Sequence, residues 1–422
     1  MSRISIVIPV HNKWDLTVNC LRSLAEFSVG VDLQIIVADN ASSDQTATEL
    51  LPLGQSLFAD NFVLLRFEQN INYGPACNAG SEKADGEFLF LLNNDTRLTT
   101  DWLPPLVSEL ERPLTAGVGP VLTYEDHKVQ HLGICIPCLG NKLSHLYTGI
   151  SADHPLAKKR RSFPAITAAA LLLPLRDFHE AGGFFPDFVN GFEDVDLCLR
   201  LTKDGNLMRI TPESRFFHLE GQSENRHNAE KHNGELLTSR WKLYEYENMT
   251  RIAAQDGYEI QIDPVYGAVF VLPEARKLDL LKLAKSNNSS LSLQSLYDLL
   301  ECEPLWEDGY LLLTDALAAV GELEEAIRVC NTGFNFVGTF PCLEKAYELA
   351  GQVPLESEFG QCLSMIRQRY LEGKTLILDH VSFKTRMRYY KEIMQRVDNT
   401  SLLKALTLCE LKAQKMRATW QQ

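Results

Sequence analysis

The sequence predicts an α/β domain, built on a mixed, mostly parallel sheet flanked by helices, followed by an all-α domain. Three observations carry this. From Ile4 to Leu92, short apolar or β-branched runs alternate with segments of helical period, the pattern of parallel strands joined by right-handed crossovers. From about Glu274 the strand-like runs give way to successive amphipathic helices. The 422 residues, 45% hydrophobic and 23% charged, hold material for more than one core. The expected division is residues 1–255 for the α/β domain, 256–273 for a linker and 274–422 for the helical domain.

Each element has its own signal. Ile4 to Val10 is a β-branched run ending at His11-Asn12, and Trp14 to about Phe27 places Leu16, Cys20, Leu21 and Leu24 on one helical face. Leu33 to Ala38 is a second buried strand. It ends at Asp39 and a turn that caps a helix from Thr46 to about Leu51. Phe62 to Phe67 is the third strand. Asn70 to Gly80 then enters a helix that runs on to Asp85-Gly86. Phe88 to Leu92 is a continuous apolar run, as in a strand buried on both faces. Gly117 to Leu122 reads as another strand, Phe192 to Leu201 as a helix with an acidic first turn, and Met208–Ile210 and Ser214–Phe217 as two short strands. In the C-terminal part, Leu305 to Phe334 has the form of a degenerate tetratricopeptide-type helix pair, and a non-repeating bundle fits equally.

Bulk properties narrow the function classes. A net charge of −14 disfavours a general nucleic-acid binder. Met1 to Pro9 lacks a signal peptide's long apolar region, and the longest uncharged apolar stretch, Ile166 to Leu175, is too short to span a bilayer. A cytoplasmic chain is expected, membrane-associated at most peripherally. Lys158-Lys159-Arg160-Arg161 is a solvated loop on the plain reading and an acceptor or anionic-lipid contact on the sharper one. Of ten cysteines only Cys135 and Cys138 have C-x-x-C spacing. With no second pair nearby, reduced packing thiols are the plain reading and a metal or redox site the sharper one.

Polar residues recur where strands end: Pro9 to Asn12, Asp39, Asn93-Asn94-Asp95 and His218, with Glu193-Asp194 at a helix start. Each has an ordinary reading: Asn and Asp favour turns, Asp39 is a helix cap, Glu193-Asp194 is a charged first turn, and His218 is a structural histidine. If the strands are parallel neighbours, all five converge on one pocket beyond their carboxyl ends. Asp95 there suits a hard cation that carries phosphates.

The ordered set resembles glycosyltransferase family 2, most closely its rhamnosyltransferase-type branch. The resemblance rests on Ile6-Val7-Ile8-Pro9-Val10-His11-Asn12, Val37 to Asp44, Asn72 to Gly80, Leu91 to Thr96, Gly191 to Arg200 and His218 to Ser223. It implies a GT-A fold and an inverting hexosyl- or rhamnosyltransferase of cell-surface polysaccharide biosynthesis. The implied donor is a nucleotide-diphosphate sugar. Acceptors would be a glycan, a lipid-linked saccharide or a protein. Pro9, Val10, His11, Asn12, Asp39, Asn72, Gly74, Asn78, Asn93 and Asn94 would contact the donor. Asp95 and His218 would bind Mg²⁺ or Mn²⁺, and Asp194 would be the general base. Asn93 departs from the family pattern, standing where the first aspartate of a D-x-D motif is expected. The helical region lies outside the resemblance. It would recruit an acceptor or protein partner, or self-associate. Two rivals remain: a nucleotidyltransferase, whose glycine-rich basic N-terminal loop is absent, and a catalytically decayed scaffold whose helices bind a partner.

Overall fold

The computed structural model describes residues 2–137, 139, 143–219, 226–286, 292–354, 359–396 and 400–420. The chain separates into two compact units: Met1–Cys135 with Leu143–Tyr246, and Ile136–Lys142 with Glu247–Gln422. The boundary therefore falls at Tyr246 and not at residue 255.

The first unit opens with β1 (Ile4–Val10), α1 (Trp14–Phe27), β2 (Leu33–Asp39), α2 (Thr46–Phe58), β3 (Phe62–Arg66), α3 (Tyr73–Ser81) and β4 (Phe88–Leu92). It continues through β5 (Thr96–Arg97), α4 (Leu103–Leu110), β6 (Thr115–Thr123), β7 (Val129–His131), β8 (Ile134–Cys135), β9 (Ser144–His145) and β10 (Arg161–Phe163). β11 (Ala170–Pro174), α5 (Leu175–Glu180), α6 (Glu193–Thr202), β12 (Leu207–His218) and α7 (Arg226–Arg240) complete it. The main sheet has the order β10-β12-β6-β11-β4-β1-β2-β3, with β5 on β12 and β7 on β6. β1, β2, β3 and β4 are mutually parallel, β12 is parallel to β6, and β11 runs against both β4 and β6. Hence β1, β2, β4, β6 and β12 end on one edge, and the chain entering β11 starts there. The mixed, mostly parallel sheet of the GT-A expectation is present. β1 and β2 are wholly buried, so they read as unbroken apolar runs.

Three elements differ from expectation. α2 continues past Leu51 through Pro52, because Leu50, Leu53 and Leu57 keep an apolar stripe on the core that outweighs the lost backbone donor. α3 stops at Ser81 because the next turn is tied to β1: the Asp85 and Gly86 amides donate to Ser5 Oγ. The two short strands expected at 208–217 are one strand, β12, with a register shift against β6 between Thr211 and Arg215, where Pro212 cannot donate.

The basic run is largely engaged. Arg160 pairs with Glu109 and Glu213, and Arg161 is buried with a bond to Leu156 O. These two are therefore not a free basic patch for an acceptor or lipid. Cys135 is buried; Cys138, like Glu220 to Ser223, lies outside the described residues.

The second unit contains α8 (Met249–Asp256), an antiparallel hairpin of β13 (Glu259–Asp263) and β14 (Gly267–Val271), and helices α9 (Glu274–Ser286) to α16 (Thr400–Trp420). The stretch expected as a linker is thus a hairpin, whose Glu259-to-Asp263 alternation sends Ile260 and Ile262 to one face. α11 (Glu307–Ala319) packs on α12 (Leu323–Val337), and α12 on α13 (Phe340–Ala350). Gly333 admits Tyr310: a Cβ there would lie 2.5 Å from the ring. Among the described residues no helix is long and apolar enough to cross a membrane.

Candidate active site

At the shared strand edge of the first unit lies a cleft of about 980 Å³. Pro9, Val10, His11, Asn12, Asn93, Asn94, Asp95, Asp194 and His218 all line it.

The loop after β1 is held open by side-chain bonds. Asn12 and Lys13 are both left-handed, at φ 57° and 61°. Asn12 Oδ1 accepts from the Ser43 amide at 2.7 Å, and His11 Nδ1 donates to Asn40 O at 2.7 Å. Asp44 accepts from Trp14 N and Thr46 N, so one carboxylate caps both α1 and α2. Backbone N–H groups and amides here form a polar wall suited to a base and ribose.

Four residues expected at the donor do not line the cleft. Asp39 is fully buried, with one oxygen on the Ser42 amide and the other paired with Arg66 at 3.0 Å. Asn78 exchanges two bonds with the backbone of Phe184, both 2.8 Å. Gly74 faces Phe184, 3.1 Å from where a Cβ would stand. Asn72, at φ 69°, receives the Asn40 amide on its carbonyl. All four shape the walls behind the cleft.

The end of β4 brings the acidic centre. Asp95 Oδ1 lies 3.1 Å from His218 Nε2 at the end of β12; the His218 side chain is buried and that of Asp95 is 11% exposed. Asn93 Nδ2 is 3.3 Å from the same nitrogen. Asn93 Oδ1 and Asp95 Oδ1 are buried and have no hydrogen-bond partner among the described residues. Such orphaned oxygens are costly unless a cation or ligand engages them. Neighbouring ligands on an octahedral ion with bonds near 2.1 Å lie about 3 Å apart, so the Asp95–His218 spacing fits a divalent cation. No cluster of three His, Cys, Asp or Glu that could by itself hold a metal ion stands among the described residues. The remaining ligands would be the Asn93 amide, donor phosphates and water.

Electrostatics agree. Among the described lining residues Lys13 is the one Lys or Arg, against Asp15, Asp44, Asp95, Glu193 and Asp194. A diphosphate entering this cleft needs a counter-cation.

On the opposite wall, α6 begins after Asn190 and Phe192, both left-handed, at φ 49° and 69°. Strain of this kind is sustained only where surroundings enforce it; here Asn190 Oδ1 accepts from Tyr73 N, and Glu193 from the Gly191 amide. Asp194 Oδ2 accepts from Ala168 N at 3.2 Å and Oδ1 from Val195 N at 2.8 Å. Asp196 points elsewhere, fully buried among Arg200, Arg240 and Trp241. Of the three acidic residues, only Glu193 and Asp194 reach the cleft.

Sequence reasoning missed the segment Thr167–Ala169 and the strand β7. Tyr73 Oη donates to Ala168 O at 2.9 Å, and burial, ahead of Cys77 and the Glu193 and Asp194 charges, keeps its hydroxyl pKa well above 10. Asn93 N donates to Ala169 O, so this segment joins the Asp95 side of the cleft to the Asp194 side. His131 Nε2 accepts from Thr167 N at 3.3 Å, and its Nδ1 lies 3.2 Å from His145 Nδ1. Burial first, then His145 and His218, hold the His131 pKa well below 6.5. The alternation Val129-Gln130-His131 was the available signal, lost in a stretch without longer periodicity.

Residues 5–137 match the model of the family described as "Glycosyl transferase family 2". Among similar proteins, an uncharacterized protein, y4gI, of Sinorhizobium fredii is 30% identical over 58% of this chain and 28% of its own length. The O-antigen biosynthesis protein RfbC of Myxococcus xanthus is 29% identical over 52% of this chain and 18% of its own. A GalNAc(5)-diNAcBac-PP-undecaprenol beta-1,3-glucosyltransferase of Campylobacter jejuni is 30% identical over 26% of this chain and 35% of its own. The chain thus spans about a third or less of each of these relatives. Over residues 5–137, which build the wall after β1 and the Asp95 corner, this chain is similar to glycosyl transferase family 2.

Proposed function

We propose that the chain is an inverting glycosyltransferase that moves a sugar from a nucleotide-diphosphate donor to an acceptor hydroxyl. The observation that carries this reading is the placement of Asp95 with His218 on one wall and Asp194 on another wall of a single acidic cleft. Asp95, His218 and Asn93 would hold Mg²⁺ or Mn²⁺, which when bound offsets the charge developing on the departing diphosphate. Pro9 to Asn12 and Asn94 would seat the nucleotide. Asp194, fixed by the Ala168 and Val195 amides, takes the proton of the acceptor hydroxyl as its oxygen attacks C1 of the sugar. The C1–O(phosphate) bond breaks on the opposite face, its electron pair leaves with the nucleoside diphosphate, and the anomeric centre inverts.

The names of two relatives, one of O-antigen biosynthesis and one acting on an undecaprenyl-diphosphate-linked saccharide, favour a lipid-linked saccharide acceptor in cell-surface polysaccharide synthesis. The test is incubation of purified chain with Mn²⁺ and a panel of UDP-, GDP- and dTDP-sugars plus lipid-linked acceptors. Nucleoside diphosphate release and product mass are followed. Acceptor-dependent release that Asp95→Ala abolishes is expected. No release with any donor would leave the scaffold reading in place.

A further inference from the structure

Gln130 sits mid-strand in β7, 2% exposed, with its backbone oxygen accepting from Thr148 Oγ1. Strand alternation sends its side chain to one face and that of His131 to the other. Gln130 Oε1 lies 3.0 Å from His218 Nδ1. An amide oxygen only accepts, so this bond places the ring proton of His218 on Nδ1. Nε2 of the neutral ring then presents a lone pair, aimed at Asp95 Oδ1 3.1 Å away. Two acceptors at that distance are stabilised by a cation that touches both, and 3.1 Å is the spacing of neighbouring ligands on one divalent ion.

We propose that Gln130 is the positioning residue that sets the tautomer and aim of His218, converting a buried histidine into a ligand for a divalent cation beside Asp95. The inference rests on the reading of Asp95 and His218 as a metal site. Partners of this kind orient ligand imidazoles and typically change metal affinity 10–100-fold. A neutral amide has a particular advantage in this cleft. It fixes the ring without adding a negative charge to the five carboxylates among the described lining residues.

The test is made on the full chain with Mn²⁺ alone as probe. Mn²⁺ affinity is measured by titration of its electron paramagnetic resonance signal, and the His218 tautomer by ¹⁵N shifts of the ring nitrogens in metal-free protein. Gln130→Leu should weaken Mn²⁺ binding about 10–100-fold and move the proton toward Nε2. Gln130→Glu, which keeps an acceptor, should restore the Nδ1–H tautomer and most of the affinity. Gln130→Met serves in place of the leucine variant if that one does not fold, as judged by thermal unfolding. If His218→Ala binds Mn²⁺ like the wild type, the metal reading fails and this inference falls with it. If His218→Ala loses Mn²⁺ while Gln130→Leu retains it, or if the tautomer is unchanged, only the role of Gln130 is overturned.

Discussion

Asp194 and Asp196 stand two residues apart on the first turn of α6, yet their surroundings assign them different work. Asp194 lines the cleft, whereas Asp196 is sealed among Arg200, Arg240 and Trp241. Asp194→Asn keeps the shape and removes the proton-accepting charge. We expect kcat to fall about 10²–10⁴-fold with donor KM unchanged. Asp196→Ala should instead leave buried donors unpaired and cost about 3 kcal/mol of stability, read as a lowered denaturation midpoint. Near-normal kcat in the first variant would move the base to Glu193. His131 offers a pH test. Its pKa is depressed in the folded chain by burial and by its histidine neighbours, so the unfolded state binds the extra proton. Its contribution is intact above the ordinary imidazole value of about 6.5 and is lost as pH falls below it. Urea midpoints measured from pH 8 down to 5 should drop for the wild type and drop less for His131→Asn. Parallel slopes would show that His131 does not govern the loss.

Elements explain what was legible in the sequence. β1, β2 and β4 are buried on both faces, so burial wrote them as unbroken apolar runs, and their polar ends marked the cleft. The residues behind the cleft were not legible, because their roles depend on partners far away in sequence. Asp39 meets Arg66 and Asn78 meets Phe184, pairs that no local pattern announces. β7 and the segment before β11 were hidden for the same reason: three-residue pieces carry too little periodicity to register. The α3–β4 turn shows how closely elements approach. A Cβ on Gly86 would lie 2.7 Å from Ser5 N and 2.8 Å from Arg3 O, backbone atoms of the β1 region that cannot swing away. Gly86→Ala should therefore cost about 1–3 kcal/mol through strain. Unchanged stability by chemical denaturation would mean that the turn relaxes freely.

At the scale of the whole molecule, every described residue lining the cleft belongs to the first unit. A fragment of residues 1–246 should accordingly bind a nucleoside diphosphate with Mn²⁺ as the full chain does, by calorimetry. Loss of binding would show that residues from 247 onward are needed to hold the site. If the fragment binds as the full chain does, the helical region is left for recruiting acceptor or partner, as expected from its sequence. The second unit is discontinuous in sequence, and Ile136 bears the cost of that arrangement during synthesis. Its amide donates to Asn248 Oδ1, and Asn248 N donates back to Ile136 O, both residues buried. The two are 112 residues apart. At ribosomal rates of roughly 5–20 residues per second, Ile136 waits about 6–22 s for its partner to be made. During that interval a peptide group destined for burial lacks its Asn248 partner, because the rest of its own unit is made only after residue 246. Translation speed across residues 137–248 therefore sets how long the nascent chain stays open to misassembly.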